Sequence, residues 1–216
     1  SPKWDISLSL DGQQHDDGAF PFRRTERNAY VKNGILFADD AYHYSHDFAG
    51  TSENDYWGLA LNANVDTAWG RLTAISGYRD FDNEDWIDSD FSPLDAARMR
   101  NCITERTFSQ ELRLASAENQ DGITWLTGGY YFYIDENKKR TNYYRSAMAG
   151  SPSNPFRPGT GERLTDTDGL NEGAAAFGQF TYPIRNTLEL TLGLRYEFKN
   201  AEMDAAVHDT PDGGDA

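Results

Sequence analysis

The sequence has 216 residues and a single cysteine, Cys102, so no disulfide can close within it, and one cysteine leaves the redox compartment open. Nowhere do about 18 apolar residues run together without a charge, which excludes a transmembrane helix and leaves strands or surface attachment as the available membrane roles. Positive charge is scarce. Lys and Arg number 20 against 35 Asp and Glu, a net charge of -15, which argues against nucleic acid because phosphate binding needs clustered cations. No nucleophile elbow, H-E-x-x-H pair, P-loop or dinucleotide fingerprint occurs, so no motif points to catalysis. A basic leader is also missing: Ser1-Pro2-Lys3 precedes a strand pattern directly, as expected of an excerpt or of a chain whose signal was removed.

What the sequence does contain is alternation. In 188–199, "LELTLGLRYEFK", Leu188, Leu190, Leu192, Leu194, Tyr196 and Phe198 share one parity, and Glu189, Thr191, Arg195, Glu197 and Lys199 the other. Side chains alternate between faces with a period of two in a strand, so this is a two-faced strand. The same signal occurs in 3–11 (Trp4, Ile6, Leu8, Leu10), 56–65 (Trp57, Leu59, Leu61, Ala63, Val65), 70–80 (Leu72, Ala74, Ser76, Tyr78), 107–115 (Phe108, Leu112, Leu114) and 174–182 (Ala176, Gly178, Phe180, Tyr182). In 123–134 the apolar parity is assigned to Leu126, Gly128, Tyr130, Phe132 and Ile134. About seven strands result, each near the nine to eleven residues or so that a tilted strand needs to cross a bilayer.

The connections alternate between short ("DTAW", "SAENQDG", "PIRNT") and long (roughly 12–53, 81–104, 135–172 and the tail from 200). That alternation is expected of an outer-membrane barrel, with short periplasmic turns and long extracellular loops, rather than of a soluble sandwich. Trp69, Trp125 and Tyr182 flank the short turns, while Trp57, Tyr78, Tyr196 and Phe198 lie toward the long loops, as interfacial aromatics would. The mean hydropathy of -0.74 is compatible with this, since only alternate strand residues would meet lipid. The expected class is therefore all-β, an antiparallel transmembrane β-barrel segment. An odd count below the smallest common barrel of about eight strands predicts an incomplete barrel with two exposed edges.

"TAISGYRDFD" (73–82), "TFSQELRLAS" (107–116), "WLTGGYYFYIDE" (125–136) and 174–204 together resemble the barrel of TonB-dependent outer-membrane receptors, closest to the group assigned to iron-complex uptake. The resemblance implies a barrel of about 22 strands around an N-terminal plug, energised by the inner-membrane protein TonB acting through that plug. It implies that 1–216 is a partial barrel domain, with plug and C-terminal strands absent, in the outer membrane of a Gram-negative bacterium. It also implies lipid and lipopolysaccharide around the wall and a ferric siderophore or similar small ligand as cargo.

Sites are few at this level. The acidic run "DFDNEDWIDSD" (80–90) invites a calcium loop, but Asp85 stands where an EF-hand needs glycine, so a solvated loop is expected. "DTDG" (166–169) is expected to be a turn. His43 and His46 would face opposite ways in an extended stretch and would not share a metal. Glu111 with Arg113, and Glu189 with Arg195, Glu197 and Lys199, share the polar parity as lumen-wall ion pairs. No catalytic, metal-binding or cofactor residue is expected, and ligand-binding residues are not identifiable. The alternatives are a secreted soluble β-sandwich that binds carbohydrate, and a small barrel enzyme using one of His15, His43, His46 and His208, all expected in loops. A transporter, not an enzyme, is the leading expectation.

Overall fold

A computed structural model describes residues 3–18, 46–117, 122–148, 151–157, 159–185 and 187–212. Among them seven strands form a single antiparallel sheet in chain order: β1 (Trp4–Gly18), β2 (Thr51–Thr67), β3 (Gly70–Asp88), β4 (Ala97–Ala115), β5 (Thr124–Tyr144), β6 (Gly161–Arg185) and β7 (Leu188–Pro211). The described residues are all-β apart from one 3-10 turn, Ser146–Met148. The sheet is open: among the described residues, β1 and β7 each pair on one side only.

The short connections β2–β3, β4–β5 and β6–β7 all lie at one end of the sheet, as the loop-length pattern predicts. Gly70 makes the first of these turns possible. Its φ is +142°, and a Cβ there would stand 1.8 Å from the Ala115 carbonyl oxygen, so only glycine fits.

Register fixes the faces, because directly paired residues share one side of an antiparallel sheet. One line of partners runs Leu10, Leu59, Tyr78, Phe108, Tyr133, and another Val65, Leu72, Leu114. On this apolar face the expected parities hold for six strands. The seventh is corrected: β5 turns Trp125, Thr127, Gly129, Tyr131 and Tyr133 to the apolar face, while Leu126, Gly128, Tyr130, Phe132 and Ile134 pair with polar-face partners such as Glu111 and Ser109. Both parities of β5 are aromatic or aliphatic, so alternation within the strand carries no decision.

Few apolar side chains are buried. Leu194 is 80% exposed and Leu10 74%, and no second layer covers the apolar face among the described residues. Polar groups within that face are satisfied inside the sheet: Ser76 donates to Gln110 Oε1, and Gln110 Nε2 donates to the Ile75 and Glu111 carbonyls at 3.1 Å.

The strands also run far beyond their oily portions. Residues 81–88 and 97–104 belong to β3 and β4, and 135–144 and 161–172 to β5 and β6, where long loops were expected. The acidic run lies largely in β3 rather than in a loop, and "DTDG" is strand within β6 rather than a turn. His15 and His208 likewise lie in β1 and β7. Charged residues continue the hydrogen-bonded ladder without apolar alternation, which is why the sequence pattern stops short of it. Most of the expected first long loop, with His43, lies outside the described residues.

Candidate functional site

Above the aromatic row the apolar face changes character within one step. Asp80, Arg106 and Asp135 form the next line across β3–β5, with Arg106 Nε 3.3 Å from Asp80 Oδ2. One line further, Thr104 donates to Asp82 at 2.8 Å and Asn137 to Asp168 at 2.6 Å. Glu84 then takes both nitrogens of Arg100 at 2.8 Å and the Trp86 indole N–H at 2.8 Å. The Arg100 guanidinium beside Glu84 holds its carboxyl below the usual range, outweighing the opposing effect of burial. Trp86 stacks on Tyr143 with ring centres 5.5 Å apart, and Arg100 lies over Trp86 at 5.6 Å.

At the far end, segment 46–50 folds against this same face. Phe48 meets Trp86 edge-on at 6.3 Å and lies under Arg98 at 4.7 Å; Asp47 Oδ2 takes an ion pair from Arg98 at 3.1 Å; His46 Nδ1 stands 4.0 Å from Asp88 Oδ2. The loop at 89–96 is built by its own short polar side chains. Asp88 Oδ1 accepts from the N–H of Asp90 and of Phe91 at 3.2 and 3.0 Å, Asp90 Oδ2 accepts from Ala97 N–H at 2.8 Å, and Ser92 donates to Asp90 Oδ1. Phe91, at φ 51°, completes the bend in the left-handed region.

Three carboxylates, Asp47, Asp88 and Asp90, meet here. Asp88 is 2% exposed, and burial, then the negative charge of Asp90, raise its pKa to about 6. Sequence reasoning missed this grouping because Asp47 is about forty residues from Asp88 and Asp90 in the chain. The only signal was the acidic run, read there as a solvated loop. Of the predicted site residues, His46 reaches the cluster and His43 lies outside the described residues.

The opposite face bears most of the expected ion pairs, though none is formed by Glu189 among the described residues. Arg113 pairs with Glu111, and Glu197 receives both Arg195 and Lys199, at 2.9 and 2.8 Å. Arg79 approaches Asp11 at 3.8 Å across a shallow groove floored by Gly58 and Gly77. Pairs of this kind brace the polar face across and along its strands. No family model matches the chain.

Proposed function

We propose that this chain is a wall sector of a TonB-dependent outer-membrane receptor, its apolar face against lipid and its charged face lining the passage for a scarce ligand, most simply a ferric siderophore or similar iron complex. The observation that carries this reading is the belt on one face, aliphatic in the middle and bounded by aromatic rows. On β2 it runs from Val65 to Trp57 and on β7 from Leu188 to Phe198. At about 3.3 Å per residue and a tilt of about 40°, these heights are about 20 and 25 Å, close to the apolar band of about 25 Å on such barrels. Internally satisfied Ser76 and Gln110 suit hydrocarbon, where water cannot supply partners. The free edges of β1 and β7 would be paired by further strands of the barrel. The role is transport, with no chemistry performed on the cargo.

Lipid quenching tests the placement. Single-tryptophan variants of the full-length protein, folded into brominated-lipid vesicles, should lose emission at Trp4, Trp57 and Trp125 and keep it at Trp86, which lies eight residues beyond Tyr78 along β3. Equal emission from all four would defeat the lipid-facing reading. Cells lacking the gene should also lose energy-dependent accumulation of the iron complex, and unchanged uptake would remove the cargo.

A further inference from the structure

The carboxylates of Asp47, Asp88 and Asp90 each offer one oxygen, all within 4.8 Å of one another. Oxygens sharing a single ion at about 2.4 Å stand no more than about 4.8 Å apart, so this spacing suits a common cation. Acidic groups crowd in this way on many surfaces, but Asp88 is not on the surface. Its side chain is 1% exposed, and Oδ2 is enclosed with no hydrogen-bond partner among the described residues. Oδ1 already takes two backbone N–H groups, and His46 Nδ1 at 4.0 Å is beyond hydrogen-bond length from Oδ2.

The neighbouring loop shows what a closed account looks like. Buried Asn154 donates to the Met148 and Gly159 carbonyls and accepts from Phe156 N–H, so both of its polar atoms have partners. A buried carboxylate oxygen without a partner is costly unless a charge meets it.

We propose that Asp47, Asp88 and Asp90 bind a calcium ion, which ties segment 46–50 to the end of β3 and the loop that follows it. The donor set is three hard oxygens, which favours calcium over zinc, whose sites draw on nitrogen and sulfur. Asp90 can contribute while keeping its loop contacts, because a carboxylate oxygen has a second lone pair. The cluster is also negative: three carboxylates meet one guanidinium, Arg98, and His46, 4.0 Å from Asp88 Oδ2, is positive only when protonated, while Asp95, itself 3.3 Å from Arg98, is half in water. Calcium is preferred to magnesium because it tolerates irregular oxygen cages, whereas magnesium demands near-octahedral geometry and holds its water. The proposal stands on this loop geometry and does not depend on the transport reading.

The full-length protein, folded in detergent and stripped with EDTA, would be titrated calorimetrically with calcium, magnesium and zinc chlorides in turn, and its melting followed with and without each. One calcium per chain should bind and raise the melting midpoint. Asp88→Asn should weaken binding by about tenfold or more, while Asp55→Asn, outside the cluster, leaves it unchanged. Should Asp88→Asn fail to fold, Asp47→Asn carries the same comparison. Absence of calcium binding by the folded protein, equal binding by the cluster variants, or a preference for magnesium or zinc overturns the assignment. Quenching by brominated lipid reads a different part of the sheet, so either idea can fail without the other.

Discussion

At the scale of single residues, the most telling contrast is between ion pairs that stand in solvent and carboxylates that are buried, Asp88 and Asp90. Glu84 and Arg100 share two hydrogen bonds yet remain well exposed, at 37% and 40%. Solvent screening therefore limits their value to about 1 kcal/mol or less. Because the Glu84 pKa is lowered on folding, its contribution is present above the ordinary value of 4.5 and fades as acid protonates the paired carboxylate. Denaturant midpoints of the wild type and Glu84→Gln should thus differ measurably at pH 7 and converge as the pH falls below the ordinary carboxylate range; a gap that persists once the carboxylate is protonated would show that packing on Trp86, not charge, is what the substitution removes. The pairing could not be read from sequence, since Glu84 and Arg100 come together only through a register that spans a loop. Asp47, Asp88 and Asp90 were hidden for the same reason: proximity there is created by segment 46–50 returning over Trp86, and no spacing rule encodes it.

At the scale of elements, period two revealed which segments are strands and, for most, which side is oily. It worked where a strand has one greasy row and one charged row, as in β1 and β7. It failed in β5, where Tyr130 and Phe132 on one side rival Tyr131 and Tyr133 on the other, so only pairing with Phe108 and Leu112 decides. Strand ends were misjudged because an acidic run such as 80–88 has no apolar rhythm, although its backbone keeps the ladder. The same two-faced construction gives a sharp test on β7. Leu194→Arg, on the apolar face, should destabilise the protein in vesicles by about 2–4 kcal/mol, the cost of a cation near the bilayer midplane. Thr191→Arg, on the polar face where Thr181 and Thr191 hydroxyls meet at 2.9 Å, should cost far less. Urea titrations of the vesicle-bound protein read both, and equal costs would place the two faces in one medium.

At the scale of the molecule, the sheet has, among the described residues, an oily side without a protein cover and two unpaired margins. Large exposed apolar area with open edges predicts self-association in water. The 216-residue chain in detergent-free buffer should sediment as β-rich aggregate and should disperse in micelles; a monodisperse solution without surfactant would point instead to a covered face, as in the carbohydrate-binding alternative. The all-β class was legible because period-two alternation recurs along the chain between turn signals. Closure of the sheet was not, because seven strands in chain order do not specify what pairs at β1 and β7.

The order β1 to β7 follows the chain without a crossover, so every strand bonds only to those made just before and just after it. Such a ribbon can be laid down like a zipper, each new hairpin closing a short stretch of chain against a margin already formed, with little entropy spent on bringing distant parts together. A break in mid-ribbon would halt that progress at the site of damage, while the portion already stitched would keep its pairing.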